Sequence, residues 1–470
     1  MKDMNAKFKY LSQNIMLFTI SGVVPKLLSF LMVPFYTSVL TPTDYGVSDL
    51  ITTTVMLLVP IFTLDMQDAV LRYSLDKDYD LGEVLSGALH IFLKGLFIVM
   101  VMAYFATWLH ISWLKPEYIF FVVLTYGATA LGNILNMFCR GINEVKAITV
   151  STLINTAVTI PANLLFLAVF QWGITGYLIA NVLGQIVAVF YLADKAQITK
   201  YFHWHTSKKV LNEMAKYSIP LIFNVIAWWV NSVSDRYYLS WISGVAVSGI
   251  FAVALKIPSI LAVFQGIFYQ AWSISAIKDF DKEDKDGFIS KTFIITSAGT
   301  ILVCSGIMFM NMPLSWFLYS KDFFQAWKYV PLLLLSFFFN AMALFVGAIF
   351  TAVKDTKNIS YSTLAGAGIN LISTLILTYY FSAFGAAAAM LLGYLTVFMY
   401  RAIKVRQHIT MDINWKRESA AYGLLFVQML AAFFGWKGMA MQVVPMMCLG
   451  ILYRREFGVV VKKVRHKIGW

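Results

Sequence analysis

The sequence predicts an all-α, polytopic membrane protein of about fourteen transmembrane helices, built as two pseudo-symmetric six-helix lobes with a C-terminal helix pair. Three observations predict it. Of 470 residues, 59% are hydrophobic and only 13% charged, against roughly 25% charge in a soluble domain, and the mean hydropathy is +0.71. The apolar residues gather in runs near or above the ~20 that a helix needs to cross a bilayer. A loop-and-helix motif also recurs at constant spacing, which divides the chain in two.

The first expected span, 13–40, carries Pro25 and Lys26 near its middle. A break at Thr41-Pro42-Thr43-Asp44 separates it from 45–73, which holds Pro60 and then Asp65, Asp68 and Arg72. A lysine at membrane depth normally faces protein or a wet cavity, and prolines there mark bent or broken helices that line cavities. A helical bundle around a polar, positively charged central cavity is therefore expected. Further spans are expected at 86–109, 117–139, 147–170, 174–193, 215–241, 246–275, 288–311, 328–350, 358–381 and 383–400. Two short ones, 418–435 and 439–453, form a hairpin about Gly435-Trp436-Lys437-Gly438. The expected domains are 1–200 (spans one to six), 201–410 (seven to twelve) and 411–470 (the hairpin and a basic tail).

The repeat sets Gly141–Leu153 (GINEVKAITVSTL) against Ala352–Leu364 (AVKDTKNISYSTL) at an offset of 211 residues. Lys, Ile, Ser, Thr and Leu recur identically, and Glu144 matches Asp355. Each stretch opens the fifth span of its half, so the halves have equal topology and form a parallel repeat.

A net charge of +13 admits nucleic acid as a partner, but the basic residues are scattered through short loops. With the N-terminus inside, the inner loops and tails hold 28 Lys and Arg, whereas the outer loops hold four: Lys115, Lys321, Lys328 and Lys437. This asymmetry is the positive-inside pattern and predicts both termini in the cytoplasm, with no nucleic-acid partner. The polar stretch Met1 to Tyr10 is not followed by a short apolar segment with a cleavage site, so no cleaved signal peptide is expected. Cys139, Cys304 and Cys448 all lie in apolar runs and imply no disulfide framework. His203-Trp204-His205 has no accompanying carboxylate or cysteine cluster, so no metal site is expected there. No phosphate-binding glycine loop, HExxH or nucleophile constellation occurs. Neither enzymatic chemistry nor a cofactor is expected.

Lys26-Leu27-Leu28-Ser29-Phe30-Leu31-Met32-Val33-Pro34-Phe35-Tyr36-Thr37, followed by Leu40-Thr41-Pro42-Thr43-Asp44-Tyr45-Gly46, resembles the opening of Wzx-type O-antigen and polysaccharide flippases. These belong to the multidrug/oligosaccharidyl-lipid/polysaccharide (MOP) superfamily, which also contains the MATE-like exporters. Asp235-Arg236-Tyr237-Tyr238-Leu239 and Ala254-Leu255-Lys256-Ile257 add weaker matches. The resemblance implies a flippase that works by alternating access in the bacterial inner membrane. Its substrate would be an undecaprenyl-pyrophosphate-linked oligosaccharide for surface polysaccharide biosynthesis, and a polysaccharide polymerase would be its partner. A cation-coupled multidrug antiporter and a lipid II flippase remain as alternatives. A polymerase or glycosyltransferase is disfavoured, because every outer loop is short.

Within that frame Lys26, Arg236, Lys256 and Arg72 are the candidate substrate-binding residues, and Asp65, Asp68 and Asp235 the candidate gate or ion-pair residues. Lys26 reads either as a pyrophosphate ligand or as half of a structural ion pair. Arg236 offers a bidentate fork to phosphate. It follows Asp235 directly, and adjacent helical side chains do not face each other, so each needs its own partner. Lys256 reads as cavity wall or as a lysine snorkelling to the interface. Asp68 and Arg72 are spaced for one helix face, with Asp65 three residues earlier; they form either an inner gate or a satisfied helix end. Lys94 reads as structural or snorkelling. Asn163, Asn224, Asn231, Gln265, Gln270, Asn340 and Asn370 bond between helices or line a sugar path, and Trp228, Trp229 and Trp272 pack between helices or stack on sugars.

Reporter fusions check the orientation. A cytoplasmically active fluorescent protein joined after Lys209 or after Lys404 should report inside, and a periplasmically active phosphatase joined at Lys437 should report outside; the opposite pattern at any of the three reverses the charge argument.

Overall fold

The computed structural model describes residues 22–108, 115–204, 206–278, 280–454 and 456, apart from the side chain of Ile274. Among the described residues every regular element is a helix. The chain forms two compact units, Met1–Trp229 and Val230–Trp470.

In the first unit α1 spans Gly22–Val39; residues 13–21 of that expected span lie outside the described ones. Thr41 then starts α2 (Pro42–Phe62) with a reciprocal cap: the Asp44 N–H donates to Thr41 Oγ1 at 3.2 Å, and the Thr41 N–H to Asp44 Oδ2 at 3.1 Å. This satisfies two amides that the first helical turn leaves without partners, and Pro42 occupies a position where no N–H is needed.

Pro60 weakens the far end of α2, because it supplies no N–H to the turn before it. The chain breaks there. The Asp65 N–H reaches back five residues to the Pro60 carbonyl at 2.8 Å. Leu64 and Asp65 adopt left-handed φ of 53° and 50°, and α3 (Met66–Ser74) sets off in a new direction. The break needs room. On α4 (Leu81–Ala106) a Cβ at Gly95 would lie 2.1 Å from the Phe62 carbonyl oxygen and 2.7 Å from the Tyr126 hydroxyl, so only glycine lets the helices close to this distance.

The unit continues through α5 (Pro116–Gly141), α6 (Val145–Asn163), α7 (Gly173–Lys195), the single turn α8 (Ile198–Tyr201) and α9 (Lys208–Ser243), within which the unit boundary falls. After Pro161, α6 widens into a π-helical turn, Leu164–Val169, a common response of a helix to a missing donor.

In the second unit, Leu255 separates α10 (Val245–Ala254) from α11 (Lys256–Lys278). α12 (Phe288–Phe309) and α13 (Asn311–Leu318) follow, then a 3₁₀ turn over Lys321–Lys328. α14 (Val330–Ala352) is the core: 83% of its most apolar stretch is buried, as expected of a helix that is apolar all round. α15 (Thr356–Lys404) packs against it, and α16 (Trp415–Ala432) and α17 (Gly435–Leu452) close the unit. The two last helices are tied in by buried polar contacts. Ser297 donates to Glu418 Oε2 at 2.6 Å, Tyr453 to the same oxygen at 3.0 Å, and Ser305 to Gln428 Oε1 at 2.6 Å. Elsewhere large apolar side chains such as Phe97, Phe190, Phe223 and Val444 stand exposed on helix faces, the surface a bilayer would cover.

Ten described helices are long and apolar enough to cross a membrane. The fourteen expected spans differ from this for visible reasons. α15 joins the expected spans 358–381 and 383–400 through Ser382, whose φ 52°, ψ −134° is a sharp kink. α9, α16 and α17, of 36, 18 and 18 residues, are helices but not among the ten.

The repeat is legible in the backbone itself. Glu144 N–H to Cys139 O (2.7 Å) matches Asp355 N–H to Phe350 O (2.9 Å), and Asn143 N–H to Arg140 O (3.2 Å) matches Lys354 N–H to Thr351 O (3.1 Å), all at the offset of 211. Asn143 and Lys354 share the left-handed region (φ 70° and 60°), as do Gln171 and Ser382 (φ 55° and 52°), again 211 apart. The acids differ. Asp355 caps α15 through the Asn358 N–H at 3.1 Å, and its two bonds from Asn358 hold the carboxyl below its ordinary pKa; Glu144, one methylene longer, makes no such cap.

Substituting Gly95 by alanine should lower the melting temperature of the detergent-purified protein, with overpacking costing about 1–3 kcal/mol. Alanine at Gly127, whose nearest neighbour would be 3.6 Å away, should be neutral. An unchanged melting temperature for the Gly95 variant would mean that the break tolerates more space than its geometry indicates.

Candidate functional site

The sequence-predicted residues divide between the units. In the first, Lys26 stands exposed on α1. Asp65, at the break between α2 and α3, is fully buried: Gln67 Nε2 donates to its Oδ1 at 3.1 Å, while its Oδ2 has no hydrogen-bond partner among the described residues. Asp68 is half-buried one turn later. Arg72 does not join it. The exposed Arg72 instead reaches forward along the helix to Asp76, at 3.9 Å, a surface contact worth at most about 1 kcal/mol.

The same break opens a cavity of about 180 Å³. Pro60 forms part of its wall, Gln67 comes from α3, Thr129 and Asn133 from α5, and Trp228 and Trp229 from α9. Trp229 is held by its indole N–H, which donates to the Thr53 carbonyl at 2.9 Å. Thr129 is held by a hydrogen bond to Gln185 Oε1 on α7 at 3.2 Å.

In the second unit, the C-terminal part of α9 carries Asp235 and Arg236. Asp235 is buried, and its Oδ1 accepts the Arg236 backbone N–H at 3.0 Å. Arg236 is half-buried, and its carbonyl accepts from Ser248 on α10 at 3.1 Å. Tyr394 of α15 lies within electrostatic reach of both charges, and its hydroxyl is 3.5 Å from Ser232. One turn earlier, Asn370 Nδ2 donates to the Asn231 carbonyl at 3.1 Å and its Oδ1 accepts from Thr374 at 3.0 Å. Asn370 therefore serves as a helix-to-helix bond here, whereas Asn231 contributes its backbone carbonyl and its side-chain Oδ1 has no hydrogen-bond partner among the described residues. Lys256, half-buried, begins α11 at the break after α10. Among the described residues neither Lys26 nor Lys256 meets a carboxylate.

Trp272 is buried. It stacks on Phe345 at 4.2 Å with planes 10° apart, and its N–H donates to the Phe345 carbonyl at 3.0 Å. It packs between helices. The His203 backbone N–H donates to Ser86 at 2.7 Å, and His205 lies outside the described residues.

Sequence reasoning missed two buried charges. Arg401, counted with the inner loops, is buried within α15. It donates to Ser362 Oγ (2.9 Å), the Ala343 carbonyl (2.8 Å) and Thr363 Oγ1 (3.2 Å), and Gly347 leaves the space: a Cβ there would sit 2.6 Å from the guanidinium. Ser362 and Thr363 belong to the internal repeat, a signal that could have pointed to it. Glu418 was masked by its place at the edge of an apolar run, yet it is fully buried, with Arg417 beside it at 3.4 Å.

Comparison with known proteins follows the same lines. The chain superposes on the lipid II flippase MurJ in an inward closed conformation with a TM-score of 0.72 and 17% identity, covering 94% of this chain and 99% of that one. It also superposes on an inward-facing multidrug resistance MATE family transporter of the MOP superfamily (TM-score 0.65, 12% identity, 84% and 98% covered). A MOP superfamily transporter from Pyrococcus furiosus, described as having a binding pocket of reverse polarity, gives 0.55 at 13% identity, with 89% and 96% covered. No curated protein sequence matches the chain. The polysaccharide biosynthesis protein family matches residues 11–273, more than half of the sequence and the part that contains Lys26, Arg236 and Lys256. The chain is accordingly a multi-pass membrane protein that belongs to the polysaccharide biosynthesis protein family, with the fold of the MurJ and MATE structures.

Proposed function

We propose that this protein moves a polyprenyl-pyrophosphate-linked oligosaccharide, an undecaprenyl-linked repeat unit of surface polysaccharide, from the cytoplasmic to the outer leaflet of the bacterial inner membrane. Both termini are cytoplasmic in this reading, and polysaccharide polymerase machinery takes up the product. The observation that carries it is the set of membrane-depth cations Lys26, Arg236 and Lys256, all within the family-matching region. A pyrophosphate needs cations that hydrocarbon cannot supply, and charges are kept inside membranes chiefly where they act on a substrate or ion path.

The mechanism is alternating access through a cationic central cavity. The anionic head enters from the cytoplasmic side and meets the ammonium and guanidinium groups. The polyprenyl tail remains in lipid, where each buried methylene is already at its most favourable. Arg72 and the carboxylates Asp65, Asp68 and Asp235 serve as the gate, exchanging partners as access changes. A potential negative inside favours outward movement of a dianionic head by about 2.3 kcal/mol per charge per 100 mV.

A second reading, cation-coupled drug export, is favoured by the full burial of Asp65 and Asp235, since an organic cation needs such carboxylates. In a strain lacking the protein, the triple variant Lys26→Gln, Arg236→Gln, Lys256→Gln should insert normally yet leave surface polymer at the level of the empty vector, with lipid-linked repeat units accumulating. Normal polymer from that variant removes the cationic-cavity mechanism. Drug resistance that depends on Asp65 and Asp235 without any polysaccharide defect moves the protein to the second reading.

A further inference from the structure

The cavity at the α2–α3 break differs in chemistry from the charged residues assigned to pyrophosphate. Its wall offers two indoles, two carboxamides and a hydroxyl, from Trp228, Trp229, Gln67, Asn133 and Thr129, and among the described residues no Lys, Arg, Asp or Glu lines it. A phosphate would find no cation there, and an organic cation no carboxylate. A neutral ring bearing hydroxyl groups would find both faces of its chemistry met: indole surface for its C–H face, and amide and hydroxyl groups for its edge.

The site is also pre-formed. The Trp229 ring is fixed by its bond to the Thr53 carbonyl. The Thr129 hydroxyl is oriented by Gln185. Gln67 gives an N–H to the buried Asp65, which fixes the amide and leaves its own carbonyl oxygen as an acceptor. Pro60 supplies no N–H to the Met56 carbonyl, so a further backbone acceptor is freed at the wall. Trp228, in contrast, is 52% exposed and bears little of the packing, so a ring can reach its face. At about 180 Å³ the space is smaller than the roughly 300–1,000 Å³ of drug-sized sites and suits a single ring.

We infer that this cavity is a monosaccharide subsite, taking one sugar ring of the lipid-linked head by stacking on Trp228 and Trp229 and by hydrogen bonds to Gln67, Asn133 and Thr129. The inference rests on the proposed flippase reading and adds to it a place where sugar, rather than pyrophosphate, is recognised.

The test uses the full chain in lipid nanodiscs and two soluble probes, farnesyl pyrophosphate and the same molecule carrying one N-acetylhexosamine. The wild-type protein should bind the sugar-bearing probe at least fivefold more tightly. Trp228→Ala should abolish that difference without weakening farnesyl pyrophosphate itself, Trp228→Phe should retain most of it, and Asn133→Ala should reduce it. Equal binding of the two probes by the wild-type protein overturns the subsite while leaving the pyrophosphate reading intact; failure of both probes to bind overturns both. If Trp228→Ala weakens both probes alike with an unchanged melting temperature, the cavity does not distinguish sugar, and the inference falls. Displacement of tetraphenylphosphonium by the Trp228 change, with no effect on either probe, would make the cavity a cation site and overturn the inference as well.

Discussion

Hydrocarbon offers a backbone amide or carbonyl no partner, so a chain that crosses a bilayer must satisfy these groups within its own helices. Among the described residues, several departures from a regular helix take a defined local form. Asp65 bonds back five residues to Pro60, Leu164–Val169 widens into a π-helical turn after Pro161, and Ser382 turns sharply between two halves of α15. Some of the residues with polar chemistry sit at or near such departures. Asp65 and Gln67 follow the Pro60 break, Lys256 opens a helix at the break after Leu255, and Arg236 is joined through its carbonyl to Ser248 just past the turn at Gly244. A helix that stays regular hides its backbone and offers only side chains; one that breaks exposes both.

The two units solve the same problem with different cores. α14 is buried on nearly all sides and gives the second unit an aromatic centre, in which Trp272 and Phe345 stack and Phe293 meets Phe345 edge-on. That core accepts Arg401 only because Gly347, Ser362, Thr363 and the Ala343 carbonyl surround its guanidinium. Buried polar groups cost several kcal/mol when left unpaired, so these contacts come as a set. Glu418 follows the same rule, with a serine and a tyrosine on one oxygen and Arg417 near the other. The first unit instead leaves small polar groups lining a cavity, with Trp228 open beside it.

The internal repeat shows how little sequence identity a conserved backbone needs. The 13-residue motif carries its identities in the helix that follows the turn, yet the hydrogen bonds that correspond lie in the turn itself, where Asn143 is the counterpart of Lys354 and Glu144 of Asp355. The left-handed pair Gln171 and Ser382, equally spaced, shares no side-chain chemistry at all. Backbone geometry at a helix end is set by which amides must find partners, and several side chains permit the same answer.

The sequence by itself determined the helical membrane class, most span positions, the repeat and the family resemblance. Each of these depends on composition and spacing along the chain, and burial in lipid makes that pattern nearly obligatory. It also singled out Lys26, Asp65, Arg236 and Lys256, because a charge inside an apolar run is conspicuous. Tertiary structure alone decided that Arg72 turns to Asp76, that Asn370 bonds to the backbone of Asn231, that Trp272 packs while Trp228 stays open, and that Arg401 and Glu418 are buried. Such choices depend on which helix faces are brought together across tens or hundreds of residues, and a linear pattern of polarity does not carry that information. Gln67, Thr129 and Asn133 are unremarked singly and join Trp228 around one cavity only when four helices meet.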